Sequence, residues 1–469
     1  MRMNESIYAA RMNKSVQRGK RRKMAQLDLT KGNITKTMLR FAFPMICGNL
    51  LQQLYNIVDT LVVGRFLGAD ALAAVGSSYS LMTFLTSILL GLCMGCGALF
   101  SIRFGEKNEA LLKEEMFVSF ALIAGLAVVL NMIVFAGIDP IMGLLSVPAE
   151  IYDLMREYLW VIFFGIIATF LYNYYSCLLR AVGNSLVPLL FLGASALLNI
   201  GLDLYFVLAL KLGVVGAALA TVIAQWLSGL GLMAYTLLFC PQLRVQKRHW
   251  IVRKETVRQI GKFSVLTCLQ QSVMNLGILM VQGRVNSFGP VVMAAFAAGV
   301  KIDSFAYMPV QDFGNAFSTF IAQNYGAKKQ ERIQQGIKAA VRTAGIFSLC
   351  VSAMVVIFAR QLLTIFISPQ ETEILNVGIS YLRIEGAFYC GIGGLFLLYG
   401  LYRAIDRPAM SLVLTVISLG SRVLLAYTLS AVPSIGVVGI WWSVPIGWFL
   451  ADVTGVVYYQ RKISVKMRS

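Results

Sequence analysis

Long apolar stretches dominate this sequence and limit what it can fold into. Of the 469 residues, 58% are hydrophobic and 13% are charged, and apolar segments follow one another with short polar breaks between them. A segment of about twenty apolar residues crosses the hydrocarbon core of a bilayer as one helix. We therefore predict an all-α polytopic membrane protein. Its twelve predicted transmembrane helices cover residues 41–64, 71–102, 116–138, 158–179, 186–210, 214–240, 260–283, 291–325, 343–367, 384–402, 409–430 and 437–459.

Basic residues predict how the chain lies in the membrane. The 41 Lys and Arg exceed the 22 Asp and Glu, and most of them fall in the loops of one side if the N-terminus is cytoplasmic. Because positively charged loops stay in the cytoplasm, we expect a multi-pass protein of the cell membrane with both termini cytoplasmic. The basic run "RGKRRKM" (18–24) is then a topology anchor, and no nucleic-acid partner is expected.

The sequence contains an internal repeat. "LQQLYN" (51–56) returns as "LQQSVMN" (269–275), "LLRA" (178–181) as "LYRA" (401–404) and "LGVVGAALA" (212–220) as "IGVVGIWWS" (435–443). Each half holds six spans, and because six is even, both halves enter the membrane in the same orientation. Two parallel six-helix lobes around a central cavity are typical of transporters that work by alternating access.

This repeat divides the chain into five predicted segments. We expect a basic cytoplasmic N-terminal segment (1–40), an N-terminal lobe (41–240), a cytoplasmic linker (241–259), a C-terminal lobe (260–459) and a cytoplasmic tail (460–469). The lobes are expected to rock against each other, so that the cavity between them opens to one side of the membrane at a time.

Two carboxylates stand out within the predicted spans of the N-terminal lobe. "LLNIGLDLYF" (197–206) places Asn199 and Asp203 four residues apart on one helix face. Asp59 lies in the first span, with Tyr55 and Gln52 on roughly the same face. A carboxylate at the bilayer centre costs at least about 2.5 kcal/mol and by default indicates a functional site. The alternative is a buried acid that only accepts helix–helix hydrogen bonds.

The repeat favours the functional interpretation. In the C-terminal lobe, Ala426 takes the place of Asp203 and Gly277 that of Asp59, whereas a residue needed for the fold should recur in both lobes. A buried carboxyl group can take up a proton from one side and release it to the other. Together with amide and hydroxyl oxygens, it can also bind a hard cation such as Na⁺. The residues alone leave both possibilities open.

The motifs together resemble the MATE (multidrug and toxic compound extrusion) family. The resemblance is carried by "PMICGNLLQQLYNIVDTLVVGRFLGADALAAVG" (44–76), "LLRAVGN" (178–184), the "NIGLD" of the fifth span and "GVVGAALAT" (213–221), and it covers residues 30 to 460. It implies twelve helices in two lobes and secondary active efflux of cationic amphipathic compounds, driven by a proton or sodium gradient. The implied partners are such small molecules and the lipid bilayer, with no obligate protein partner and no cofactor beyond H⁺ or Na⁺.

The resemblance also implies site residues. The family's coupling site, a possible Na⁺ site, falls on residues of the first, fifth and sixth helices, and the expected substrate cavity on polar residues nearby. A branch of the family carries further acids on its seventh and tenth helices, where residues 269–277 and 388–400 have none, so coupling is expected in the N-terminal lobe. The coupling residues are Asp59, Asn199, Asp203 and Thr221, and the cavity residues are Gln52, Tyr55 and Asn173.

Three acids of the C-terminal half have no counterpart in the family pattern. Asp303 and Asp312 lie in the eighth span and Glu385 begins the tenth. Asp303 or Asp312 is expected to pair with Lys301 or with a neighbouring helix, or else to contact a cationic substrate. Their roles, like that of Arg422 in the eleventh span, stay open.

A flippase and a membrane enzyme are the alternatives to efflux. A flippase of a lipid-linked or glycan precursor should line its cavity with basic residues, and only Lys301 and Arg422 lie within predicted spans, so cationic cargo is favoured. A membrane enzyme is least favoured, because no span has a His-rich box or a Ser/His pairing. The lone "CMGC" (93–96) is a weak metal signal, and His249 is expected to be a solvated loop residue.

Overall fold

The computed structural model describes residues 27–144 and 147–464, and helices form all of the regular secondary structure in this part of the chain. The helices are α1 (Ile34–Phe66), α2 (Ala69–Gly105), α3 (Glu109–Ala136), α4 (Ile138–Leu144), α5 (Ala149–Ile162), α6 (Gly165–Ala181), α7 (Leu186–Leu204), α8 (Gly213–Phe239), α9 (Lys254–Asn286), α10 (Pro290–Gly326), α11 (Gln330–Ile357), α12 (Ala359–Leu363), α13 (Thr372–Ala387), α14 (Tyr389–Ala404), α15 (Pro408–Ser430) and α16 (Val438–Tyr458).

These helices supply the twelve predicted spans. Among the described residues, nine helices are long and apolar enough to cross a membrane, and the bent pairs α5/α6 and α13/α14 each supply one more. The remaining span is α1, which has 33 residues but is less apolar because Gln52, Gln53, Asn56 and Asp59 interrupt it. The predicted fold class, twelve helices in two six-helix lobes around a central cavity, is confirmed.

Two spans are broken where the sequence predicts continuous helices. The fourth bends by 46° between α5 and α6, and the tenth by 49° between α13 and α14. The predicted spans 158–179 and 384–402 begin inside the first arms, because those arms carry charged residues such as Arg156 and Arg383 that lower their hydropathy. Both breaks fall at phenylalanines, Phe163 and Phe164 in one lobe and Phe388 in the other.

The repeat is also visible in the backbone. Residues with positive φ recur at corresponding turns of the two lobes, where one helix ends or the next begins. Glycine adopts this conformation without the steric clash that a Cβ would cause. The pairs are Gly68 (φ 93°) with Gly289 (91°), Lys107 (58°) with Lys328 (55°), and Gly213 (60°) with Gly436 (54°).

The two lobes approach each other most closely at one end, which we call the basic end because it holds the Lys- and Arg-containing loops 106–108, 240–253, 327–329 and 405–407. A Cβ atom on Gly95 of α2 would lie 2.4 Å from the carbonyl oxygen of Phe263 in α9. One on Gly105 would lie 2.1 Å from the carbonyl oxygen of Gln323 in α10. The second, seventh and eighth spans therefore close the cavity at this end.

The segment before α1 ties the lobes together at the basic end. The backbone N–H of Leu27 donates to the carbonyl of Gly183, at 3.0 Å, in the N-terminal lobe. The carbonyl of Leu29 accepts from Asn324 Nδ2 and from Arg332 Nη2 of the C-terminal lobe, both at 3.2 Å. Leu29 itself is fully buried. Residues 27–33 thus bridge the two lobes.

The predicted segment boundaries stay predictions. The first helix begins at Ile34 and not at residue 41, and the last helical turns run through Tyr459–Ser464, beyond the predicted start of the tail. The basic run 18–24 lies outside the described residues.

Candidate functional site

A cavity of about 600 Å³ lies between the lobes and is lined by polar side chains from both. Six of the seven predicted site residues line it, while the carboxyl group of Asp203 lies behind the wall with no exposed surface. The lining residues among them are Gln52, Tyr55, Asp59, Asn173, Asn199 and Thr221.

Asp59 and Asp203 face each other across α1 and α7. Their carboxyl groups are within hydrogen-bonding range of one another. Both oxygens of Asp203 and Oδ1 of Asp59 are buried and receive no hydrogen bond from an N–H or O–H group of the described residues. Two carboxylates in contact repel each other unless a proton or a cation lies between them. We call Asp59 and Asp203 the N-lobe pair.

Asn199 and Thr221 complete a group of oxygen atoms beside the N-lobe pair. Asn199 is 2% exposed, and its Nδ2 donates to Oγ1 of Thr221 on α8, at 3.3 Å. This leaves the Asn199 Oδ1 buried without a donor in the described part of the chain. The site thus collects acceptor oxygens from three spans, which is the chemistry that a proton or a hard cation requires.

Tyrosines surround the N-lobe pair. Tyr55 is hydrogen-bonded to Gln52 one turn earlier on α1. Tyr158, on α5, is buried and within electrostatic range of both carboxyl groups. Sequence reasoning missed Tyr158, because it begins a predicted span and the residues three and four positions away on its helix are all apolar.

A second pair of carboxyl groups lies in the C-terminal lobe, and we call Asp303 and Glu385 the C-lobe pair. Asp303 accepts hydrogen bonds from the hydroxyls of Tyr381 and Tyr389 and contacts Glu385. The Tyr381 hydroxyl also contacts Glu385 Oε2 at 3.1 Å, and Arg422 lies within electrostatic range. None of these five residues lines the cavity in the described part of the chain.

The expected pairing with Lys301 is not formed. Lys301 is exposed, with its ammonium group 5.7 Å from the centre of the Phe366 ring. Asp303 contacts the tenth span instead, and Asp312 accepts a hydrogen bond from Asn49 Nδ2 of α1 at 2.5 Å. Both acids are therefore paired with a neighbouring helix and not with Lys301. Asp312 also lines the cavity.

Two basic residues that lie outside the predicted spans line the cavity. Lys301 and Arg422 do not line the cavity, but Arg180 and Arg403 do, at the end where the lobes close. These are the arginines of the repeated "LLRA" and "LYRA". Both fall just beyond the ends of predicted spans, where nothing in the sequence distinguishes them from loop residues that set topology.

The cysteines of the "CMGC" motif and His249 lie apart from the N-lobe pair. Cys96 Sγ lies 3.0 Å from Ser264 Oγ, where the second and seventh spans meet. Contrary to the expected solvated position, His249 is buried, and its Nδ1 accepts from the backbone N–H of Gln246 at 3.1 Å. Burial, Arg248 and Lys113 lower the pKa of His249, so the ring is neutral near pH 7.

Comparisons with known proteins agree with this architecture. The model of the MatE family matches residues 44–205 and 264–428. The probable multidrug resistance protein YpnP of Bacillus subtilis is 28% identical over 441 residues, which cover 93% of this chain and 97% of that protein. An FAD transporter of Shewanella oneidensis is 25% identical over 443 residues, covering 91% and 95%.

A solved structure shares the fold. The outward-facing conformation of a multidrug resistance MATE family transporter of the MOP superfamily superimposes with a TM-score of 0.88 at 24% identity, covering 95% of this chain and 99% of that one. With the family model matching both lobes, the chain belongs to the MatE family of multi-pass membrane transporters.

Proposed function

We propose that this protein is a secondary active antiporter that exports cationic amphipathic drugs or metabolites in exchange for H⁺ or Na⁺. The names of its relatives support export of drugs, since YpnP is a probable multidrug resistance protein. They give no support to the flippase alternative. The family is one of transporters, and neither a catalytic activity nor a cofactor beyond the coupling ion is proposed.

The N-lobe pair is the observation that carries this proposal. Asp203 is fully buried, its oxygens have no donor in the described part of the chain, and it faces Asp59, which reaches the cavity. An isolated acceptor group of this kind needs a positive charge to be stable. A coupling proton or Na⁺ supplies that charge in one state, and a cationic substrate near Asp59 replaces part of it in another.

The cavity has the chemistry to hold an organic cation. Asp59 and Asp312 supply negative charge, and Tyr55, Tyr79 and other aromatic side chains line the same space. Aromatic faces attract cations, and amphipathic molecules gain from burying their apolar parts. Competition between the coupling ion and the substrate for Asp59 would link their opposite movements.

The direction of transport follows from the charge of the loops. We propose that the protein lies in the cell membrane with the basic end in the cytoplasm, as the positive-inside rule favours. Because the lobes meet at the basic end, the structure would then represent a state open to the outside. Rocking of the lobes would open the opposite side and complete alternating access.

The test is ethidium transport by the purified protein in liposomes, with pH and Na⁺ gradients imposed separately. We expect one of the two gradients to drive ethidium movement in the wild type and neither to drive it in Asp203→Asn. Glu385→Gln, which alters the C-lobe pair, is the matched control and should transport. If no gradient moves ethidium in the wild type, the proposed antiport is wrong, and if Asp203→Asn transports normally, the coupling site is wrong.

A further inference from the structure

The basic end of the cavity holds two arginines that the proposed export of cations does not use. Arg180 lies in the last turn of α6 and Arg403 in the last turn of α14. Arg403 is only 5% exposed and Arg180 is half-buried. Both arginines and Cys177 line the cavity, and both guanidinium groups are within electrostatic range of the Cys177 thiol, so the two arginines lie on the same part of the cavity wall.

These arginines have few hydrogen-bond and ion-pair partners among the described residues. Nη2 of Arg403 donates to Asn315 Oδ1 at 3.1 Å, and Nε of Arg180 is buried with no acceptor. Neither guanidinium has a carboxylate within 4.0 Å. Asp312 interacts electrostatically with Arg180 at longer range and is itself hydrogen-bonded to Asn49.

A purely structural role does not account for this arrangement. An arginine near a helix C-terminus stabilises the helix when it interacts with the free carbonyls there. Arg244 does so in this protein, with Nε and Nη2 donating to the carbonyls of Leu237 and Leu238 at 2.6 and 2.9 Å. No such bond is formed by Arg180 or Arg403 in the described part of the chain. Both residues line the cavity instead.

Positive charge exceeds negative charge at the basic end of the cavity. Two guanidinium groups face the cavity at this end against the single carboxylate of Asp312, and burying a cation without a partner is unfavourable. Each guanidinium has five N–H donors in a planar fork that fits a carboxylate or phosphate group with two parallel hydrogen bonds. Two such forks beside one cavity wall form a site for one anionic group.

We propose that Arg180 and Arg403 form an anion site at the closed end of the cavity, which binds the carboxylate or phosphate group of a transported molecule. The inference rests on the proposed export function and narrows its substrate class. Asp59 lies ten residues beyond Asn49 on α1, a rise of about 15 Å, so the cavity is acidic toward one end and basic at the other. It suits molecules that carry an organic cation and an anionic group at separate ends.

Equilibrium binding to the purified protein in detergent tests this without any gradient. Rhodamine 110 has a free carboxylate, and rhodamine 123 is its methyl ester, so the pair differs by one negative charge. Riboflavin 5′-phosphate and riboflavin form the equivalent pair for phosphate. Binding is followed by fluorescence anisotropy. We expect the member with the anionic group, in at least one pair, to bind about tenfold more tightly than the member without it, a difference of about 1.4 kcal/mol.

Variants identify the groups responsible. In the double variant Arg180→Gln/Arg403→Gln the preference should disappear, while binding of riboflavin, which has no charge, stays within about twofold of the wild type and shows that the protein is folded. Arg180→Lys/Arg403→Lys keeps the charges without the fork and should retain part of the preference. Lys301→Gln, which removes one positive charge outside the cavity, should bind all four dyes as the wild type does.

The outcomes separate this proposal from the proposed antiport. A preference in the rhodamine pair assigns a carboxylate, and one confined to the flavin pair assigns a phosphate. Equal binding within both pairs, or a preference that survives in the double Gln variant, overturns the anion site. If the preference is found and yet no ion gradient moves any dye in liposomes, the anion site stands and the antiport fails.

Discussion

The N-lobe and C-lobe pairs bury the same kind of chemical group in different surroundings. In the N-lobe pair, three of four carboxyl oxygens have no donor among the described residues, and Asp59 reaches the cavity. In the C-lobe pair, Asp303 accepts from two tyrosine hydroxyls, and neither acid reaches the cavity. Tyrosine hydroxyls satisfy Asp303 from within the lobe, while Oε1 of Glu385 has no donor among the described residues. In the N-lobe pair no donor of this kind is present in the described part of the chain, and the proposed coupling ion would supply the missing positive charge.

Burial of a carboxyl group therefore does not by itself indicate a coupling site. A buried polar group that is fully hydrogen-bonded contributes to the structure, and one that lacks partners is unstable until something binds. Arg422 near the C-lobe pair adds fixed positive charge there, while the described residues place no basic side chain beside the N-lobe pair. Exchange of an ion therefore fits the N-lobe pair.

The largest expected effect is on coupled transport. Asp59→Asn, like Asp203→Asn, should reduce gradient-driven ethidium transport in liposomes to the level of protein-free liposomes, because an amide cannot carry or release the coupling ion. Asp303→Asn and Glu385→Gln should keep at least a substantial part of the wild-type rate. Loss of transport in the C-lobe variants, with the N-lobe variants active, would reverse the assignment of the two pairs.

The next effect is on stability and belongs to the C-lobe pair. Tyr389→Phe removes one donor from buried Asp303 and should destabilise the protein by about 1–3 kcal/mol, measured by denaturant unfolding in detergent. Tyr158→Phe is the matched control, since Tyr158 lies near the N-lobe pair without a recorded hydrogen bond to it. Equal stabilities of Tyr389→Phe and the wild type would show that the tyrosines do not satisfy Asp303.

A smaller effect is expected beside the N-lobe pair. Thr221→Val removes the hydroxyl that accepts a hydrogen bond from the Asn199 side chain. It should weaken binding of the coupling ion by about two- to tenfold, since one neutral hydrogen bond contributes about 0.5–1.5 kcal/mol. The concentration of H⁺ or Na⁺ that gives half-maximal transport measures this. Thr415→Val, the same change at a buried site in the C-terminal lobe, should leave that concentration unchanged, and an equal shift in both variants would argue against a special role of Thr221.

The smallest effect concerns the histidine. Because the pKa of His249 is lowered by burial, Arg248 and Lys113, its ring stays neutral at and above about pH 7, and its Nδ1 accepts a hydrogen bond. Any pH dependence of transport near neutrality should then come from the carboxyl groups. His249→Gln should give the wild-type pH profile for ethidium transport, and a displaced profile would assign part of the titration to His249.

Sequence reasoning predicted much of the N-lobe site. The spacing of Asn199 and Asp203 put both on one helix face, the carboxylate within the first span indicated Asp59, and the family resemblance added Thr221. The structure brings these residues together. The ion-coupling role of these four residues stays a prediction. The fold class could be predicted because apolar length and an internal repeat are properties of the chain itself.

What the sequence could not show depends on contacts between distant segments. Tyr381 and Tyr389 are 78 and 86 residues from Asp303 along the chain, and no local pattern marks them as its partners. Arg180 and Arg403 look like topology-setting residues until the lobes close around them. The bends at Phe163 and Phe388 carry no proline, so hydropathy alone placed the start of each span too late.

The most direct test of the coupling site counts the ions that leave when a cation binds. Purified protein is titrated with ethidium by calorimetry in buffers of different ionisation enthalpy, and ²²Na⁺ release is measured in parallel. We expect about one H⁺ or one Na⁺ to be released per ethidium bound in the wild type and in Glu385→Gln, and none in Asp203→Asn. Release that persists in Asp203→Asn, or that is lost only in Glu385→Gln, would contradict the assignment of ion exchange to the N-lobe pair.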